Sequence, residues 1–397
     1  MAETNEKNRG VRVLVGLSGG VDSAIAAWLL KEQGYDVHAC FMRNWDSLTN
    51  NDIKGNPTIM DGTCPQEQDY ADAKKVAEAL GIELERVDFI QEYWDDVFSV
   101  FLSEYKKART PNPDILCNKH IKFDAFFQYA MKEGYDMIAT GHYCARDEDG
   151  NFVWLDRAAD HNKDQTYFLA QVPESALQKT LFPLGNLEKP HVRRYAQDLH
   201  LDSVSKKKDS TGICFIGERN FRQFLSNYLP AKEGDIVDVD TGRVIGRHQG
   251  VLYYTIGQRK GLHIDHVVGP WYVACKDPVE NILYVARTDN RTWLESDSCL
   301  VTGINWIKPE DYEIPKKLGC KFRYRQPDQP VEIELLGDGT SALVRYPQKI
   351  AAIAPGQEAV FYDKDHCLGG GVIDEVYLNG SDLMEQVKEH ARKHRRD

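Results

Sequence analysis

The chain has 397 residues, 42% hydrophobic and 28% charged, with 9 cysteines and a formal net charge of −12. That length exceeds a single hydrophobic core and predicts two or three domains, while the ordinary globular composition excludes extended disorder. No run of about 18 apolar residues occurs and residues 1–10 carry no apolar leader, which excludes a membrane span; sparse cysteines without CxxC or zinc-type spacing predict reduced thiols in a cytoplasmic protein.

Residues 11–17 form a short β-branched apolar run, and residues 22–32 follow with helical spacing of Ala24, Ala27, Trp28 and Leu30, so the opening reads as strand, tight loop, helix. A strand is predicted over 37–42, a helix over 66–80, a strand over 82–89 and an amphipathic helix over 92–108. Residues 109–118 read as a loop, 119–133 as a helix, and 137–140 as a strand leading into Gly141 and His142. This alternation predicts an α/β, doubly wound parallel sheet whose ligands lie beyond the carboxyl ends of the strands.

From about residue 234 the pattern changes to short strands with glycine and aspartate turns. Strands over 268–273 and 282–286 predict a small, β-rich central domain. Residues 320–326, 331–336, 341–346 and 351–373 predict a closing C-terminal β-barrel. The expected divisions are residues 1–215, 216–294 and 295–380, followed by a basic tail over 381–397.

The sharpest local signal is Ser18-Gly19-Gly20-Val21-Asp22-Ser23, between a strand and a helix. Glycines there let backbone N–H groups turn toward an anion, and the helix N-terminus adds partial positive charge. Neither a Walker loop nor a dinucleotide fingerprint fits. SGGxDS resembles the PP-loop of ATP pyrophosphatases, which cleave ATP between the α- and β-phosphates.

Two cysteine segments follow. In Arg109-Thr110-Pro111-Asn112-Pro113-Asp114-Ile115-Leu116-Cys117-Asn118 the prolines stiffen the chain, and Asp114 and Cys117 lie near the start of the next helix, where thiolate is favoured. In residues 206–217, three lysines precede Cys214 and would lower the pKa of a nearby thiol. Either cysteine alone would read as a small buried hydrophobe.

The net negative charge runs against a nucleic-acid partner, but positive charge is clustered at Lys106, Lys107 and Arg109, over 189–194 and 206–208, and over 392–396. Arg323-Tyr324-Arg325 offers phosphate-binding and base-stacking groups along a predicted strand, and Lys163-Asp164-Gln165 offers charge and amide donors. Asp238, Asp240, His263, Asp265 and His266 match no ligand spacing, so no protein metal site is assigned.

Taken together, SGGVDS, RTPNPDILCNKHIKF, ATGHY, KDQTYFL, KKKDSTGICFIGERNF, YTIGQRKGL, APGQEAVFY and CLGGG resemble the bacterial tRNA-specific 2-thiouridylase family, in order from about residue 11 to 373. The resemblance implies an N-terminal PP-loop ATP pyrophosphatase domain, a small central domain and a C-terminal β-barrel. It implies thiolation of the wobble uridine of glutamine, glutamate and lysine tRNAs, with ATP, Mg2+ and a persulfide delivered by a sulfur-relay protein.

Carried onto this sequence, Gly16, Leu17, Ser18, Gly19, Gly20, Val21, Asp22 and Ser23 would bind ATP, flanked by Met42 and Gly141. Asn112, Pro113 and Asp114 would meet the target base. Lys163, Asp164, Gln165, Arg323 and Tyr324 would contact tRNA, with His142 and Gln357 also tied to it. Cys117 would be the catalytic thiol and Cys214 the persulfide carrier, and Asp114 could serve as general base. Residues 47–63 form a longer loop than the resemblance accounts for. Two other readings are an adenylating PP-loop synthetase that uses an amine, which has no need of paired thiols, and a non-catalytic RNA-binding module, which leaves the PP-loop unexplained.

Overall fold

A computed structural model describes residues 6–56, 65–150, 152–208, 216, 220–264, 269–287 and 290–395. Five parallel strands, Arg12–Gly16, Asp36–Arg43, Leu84–Asp88, Met137–Ala139 and Thr180–Leu181, pair in the spatial order third, second, first, fourth, fifth. The first strand shows why a parallel sheet forms here. Val13 and Val15 enter one apolar cluster and Leu14 the other, each fully buried, so both faces need helical cover. Helices Val21–Glu32 and Lys189–Asp198 cover the face of Val13 and Val15.

The first strand pairs with the second on one side and the fourth on the other. Their following loops diverge there, leaving a crevice at the carboxyl edge. Residues 18–23 and Gly141 both lie at that edge.

A four-stranded sheet follows, in the order Trp271–Asp277, Ile282–Arg287, Gly234–Asp238, Val244–His248, with its inner pair parallel and its outer pairs antiparallel. Beyond it, Glu295–Trp306, Lys317–Lys321, Gln329–Leu336, Ser341–Ala351, Glu358–Asp363 and His366–Leu378 form a six-stranded antiparallel barrel. It closes because Glu295–Trp306 pairs with both Ser341–Ala351 and His366–Leu378. Cys299, Val301, Val344, Phe361 and Leu368 fill it, each fully buried.

The N-terminal half sends a hairpin, Ala145–Asp149 with Phe152–Asp156, onto the barrel. There Asp156 pairs with His366 at 2.6 Å and Trp154 stacks on the same imidazole. At the other end of the chain, helix Leu383–His394 returns to the central sheet, where Arg392 meets Glu280 at 2.9 Å. No described helix is long and apolar enough to cross a membrane.

Two expectations are corrected. The helix expected from residue 119 starts at Pro113, because Asn112 caps it and proline suits its first position; Cys117 is therefore helical, and the winding widens to a π-helix over Asn118–Ala125. Arg323-Tyr324-Arg325 is a turn, since its strand ends at Lys321 and Arg325 takes a positive φ of 64°.

Candidate active site

The loop leaving the first strand is held by its own serines. Ser23 Oγ accepts the Ser18 N–H at 3.1 Å and donates to the Gly20 carbonyl at 3.1 Å, while the Leu17 N–H donates to the Cys40 carbonyl. Gly19 has a φ of 72°, and a Cβ there would lie 2.1 Å from the Asp69 carbonyl oxygen, so glycine is required. Gly20 caps the helix without a side-chain acceptor, and Val21 is buried in its first turn. The first-turn amides thus form an N-terminus suited to an anion.

Two predicted neighbours close in on this loop. A Cβ on Gly141 would meet the Ser23 nitrogen at 2.7 Å and the Asp22 carbonyl carbon at 2.8 Å, and one on Gly16 would meet Met42 Cε at 2.9 Å. The two loops of the crevice therefore touch, backbone to backbone. Asp22, on the second residue of the helix, accepts from the Tyr143 hydroxyl at 2.8 Å and pairs with the Lys189 ammonium at 2.7 Å.

Lys207 donates to the Gly19 carbonyl at 3.0 Å and pairs with Asp69 at 2.7 Å and Asp72 at 2.8 Å. Burial works against its charge, but the two carboxylates outweigh that and raise its pKa above the ordinary lysine value. Sequence reasoning missed Lys189, Tyr143 and these acidic partners. The basic run at 189–194 was the available signal for the first.

Cys117 belongs to the apolar cluster on the Leu14 side of the sheet and is fully buried, at the junction of helix Pro113–Cys117 and the π-helical turn. Asn112 Oδ1 accepts the Asp114 N–H at 3.1 Å and the Ile115 N–H at 3.4 Å; Asp114 is half-buried in the first turn. Cys214 and most of its motif lie outside the described residues, as do Asp265 and His266. The described part of the 47–63 loop packs on helix Phe221–Leu225 and its extension, with the Tyr228 hydroxyl donating to the Asn50 carbonyl at 2.7 Å.

The remaining candidates are held within the fold. His142 is buried, its Nδ1 2.8 Å from Thr140 Oγ1; burial, aided by the Lys122 charge, holds its pKa well below the ordinary value, so the ring is neutral. Asp164 is buried, accepts from the Thr166 hydroxyl at 2.9 Å and sits 3.7 Å from Arg157. Gln165 exchanges two hydrogen bonds of 2.8 Å with the Tyr143 backbone, and the Lys163 N–H donates to the Asp160 carbonyl.

Arg323 donates to the Ile256 carbonyl at 3.1 Å and to the Ala352 carbonyl, tying the central region to the barrel. Tyr324 packs on Phe168 with ring centroids 4.4 Å apart. Gln357 Nε2 donates to the Thr110 carbonyl at 2.6 Å. The PP-loop residues, Met42 and Gly141 are thus brought together, whereas Arg323, Tyr324 and Gln357 stand at seams with the barrel.

Residues 11–218 match the family described as tRNA methyl transferase HUP domain, residues 222–287 the tRNA methyl transferase PRC-barrel domain, and residues 296–373 the Aminomethyltransferase beta-barrel domain. The chain is 55% identical over 372 residues to the tRNA-specific 2-thiouridylase MnmA of Mycoplasma capricolum, spanning 92% of this chain and 99% of the relative. It is 50% identical over 381 residues to that of Geobacillus thermodenitrificans, spanning 96% and 99%. Likeness to solved structures is slight. An NMN synthetase from Francisella tularensis has a TM-score of 0.31 at 18% identity, covering 51% of this chain and 67% of its own. A 4-thiouridine synthetase in an RNA complex with bound ATP has a TM-score of 0.31 at 14% identity, covering 53% and 46%. On identity sustained over nearly the whole of both chains, this protein belongs to the tRNA-specific 2-thiouridylase family.

Proposed function

We propose that this tRNA-uridine 2-sulfurtransferase activates the 2-oxygen of a tRNA wobble uridine with ATP and replaces it with sulfur handled by Cys117 and Cys214. The observation that carries the first half is the glycine loop, whose helix N-terminus has no side-chain cap and which packs against Gly141 at the sheet's switch point.

A uridine carbonyl is a poor electrophile because oxide is a poor leaving group. Attack of the 2-oxygen on the α-phosphate makes adenylate the leaving group, and pyrophosphate departs into the cradle of residues 18–23, where first-turn amides stabilise the developing charge. Mg2+ would arrive on the ATP phosphates and neutralise them; among the described residues no group of three or more His, Cys, Asp or Glu is arranged to hold a metal.

The sulfane sulfur of a Cys214 persulfide then attacks the activated carbon and displaces adenylate, after which Cys117 attacks Cys214 Sγ and breaks the S–S bond to free the thiocarbonyl; in the other order Cys117 cleaves that S–S bond first and the released sulfide displaces adenylate, and either way the two cysteines end as a disulfide. A relay protein carrying a persulfide is the expected donor. Asp114, one turn before Cys117 on the same helix, would serve as the general base. The setting for this chemistry is the cytoplasm.

The test is nucleoside mass spectrometry of tRNA incubated with ATP, magnesium and a persulfide donor. Cys117→Ser and Cys214→Ser should each abolish 2-thiouridine while tRNA-dependent pyrophosphate release partly survives. Full thiolation by either variant would refute the paired-thiol reading, and an amine product would favour the synthetase alternative.

A further inference from the structure

We propose that Arg109 and Gln357 are positioning residues for sulfur transfer: through them the C-terminal barrel fixes the start of the helix that bears Cys117. This rests on the reading of Cys117 as a sulfur-handling thiol.

The barrel side offers residues 355–357 and 373–374. The Thr110 N–H donates to the Pro355 carbonyl at 2.9 Å, and Gln357 Nε2 returns a 2.6 Å bond to the Thr110 carbonyl, so one residue is held from both its backbone groups. Between these contacts Gly356, at φ 90°, lets the chains approach; a Cβ there would sit 2.7 Å from the Thr110 nitrogen. Arg109 forks, its Nη1 on the Asp374 carboxylate, its Nη2 3.1 Å from the Ile373 carbonyl oxygen and its Nε 2.7 Å from Glu104.

Only Pro111 and Asn112 separate Thr110 from the helix. Proline fixes one φ, and the Asn112 side chain is locked as the cap, so the placement of Thr110 passes to Pro113 and, one turn on, to Cys117. The far side of the thiol is tied to the same barrel. Asn118 Nδ2 donates to the Phe168 carbonyl at 2.8 Å, and Lys119 reaches Gln171, whose amide donates to the Gly370 carbonyl at 2.7 Å. Cys117 is bracketed by two barrel-anchored stretches, and a displacement near 1 Å at a reacting group can cost about a hundredfold in rate.

The variant Gln357→Glu keeps the shape but cannot donate to Thr110. The probe is an unmodified tRNA transcript with a wobble uridine, supplied with ATP, magnesium and glutathione persulfide as the sulfane-sulfur donor. The expected result is a fall of about tenfold or more in kcat for 2-thiouridine, with the KM for tRNA, the tRNA-dependent pyrophosphate release and the denaturation midpoint unchanged. A raised KM with the saturated rate intact makes Gln357 an RNA contact and overturns the proposal, as does an unchanged kcat. If Gln357→Glu does not fold, Arg109→Lys, which keeps the pair with Asp374 and drops the donor to Ile373, carries the same expectation. Cys117→Ser in parallel separates the two failures, since full thiolation by that variant removes the role of the thiol itself.

Discussion

Lys189 places its ammonium 2.7 Å from both carboxylate oxygens of Asp22, and the Tyr143 hydroxyl donates to the same group at 2.8 Å. Lys189 is 7% exposed, so its ammonium needs a paired carboxylate, and Asp22 supplies one. The pair therefore holds the helix N-terminus of the glycine loop to helix Lys189–Asp198, and both members should matter to ATP use.

Asp22→Ala and Lys189→Met should each lower tRNA-dependent pyrophosphate release. The double variant should lose less than the product of the single losses, because both single changes remove the same ion pair; a coupling of roughly 1–3 kcal/mol is expected for contacting, partly buried charges. Strict additivity in this double-mutant cycle would show that the pair does not act as a unit, and unchanged pyrophosphate release in Asp22→Ala would count against the nucleotide site.

Gly141→Ala tests the crevice itself. A Cβ there would approach backbone atoms of Asp22 and Ser23 at 2.7–2.8 Å, and backbone at that range cannot give way as a side-chain tip can. Pyrophosphate release should fall by an order of magnitude while far-ultraviolet dichroism stays native. Wild-type turnover in this variant would mean that the two loops are free to separate and that the switch point is not the working edge.

How much of this was legible in the sequence follows from range. Residues 18–23 fix their own geometry through glycine conformation and bonds within five positions, so strand, loop and helix could be read directly. The helix start at Pro113 was also written locally, in an asparagine cap followed by proline, yet the two prolines favoured an extended loop. The partners of the site were not legible. Lys189 lies 167 positions from Asp22, and Gln357 lies 247 from Thr110, and no local pattern selects such a pair among the chain's other amides and cations. The hairpin at 145–156 shows the same limit, since it joins a barrel strand 210 positions further on.

Glu358 stands at the seam beside Cys117's helix, fully inside the protein, with Gln171 Nε2 3.5 Å away. Burial pushes its carboxyl pKa up from 4.5 to about 7, against the opposing pull of Lys119 and Gln171. Between those two values the folded chain keeps a proton that the unfolded chain releases, so stability falls as pH rises across this window. Glu358→Gln, neutral at every pH, should leave the denaturation midpoint unchanged near the acid end of the window and raise stability above it, by at most about 3 kcal/mol. Parallel pH curves for the two proteins would mean that Glu358 is ionised in the fold.

Lys276, in the central sheet, makes the opposite prediction. Its Nζ is buried with no hydrogen-bond partner among the described residues, and burial lowers its pKa from 10.5 to about 7 despite the proximity of Cys275. Here the unfolded chain holds the extra proton between about 7 and 10.5, so the contribution of this residue to stability is greatest above the upper value and is lost as pH falls toward the lower one. Lys276→Met fills nearly the same volume with no charge to desolvate. Its denaturation midpoint should therefore exceed that of the parent by a margin that widens from alkaline to neutral pH. A lower midpoint at neutral pH would show that the ammonium is solvated or paired in solution, and that the central sheet tolerates it at no cost.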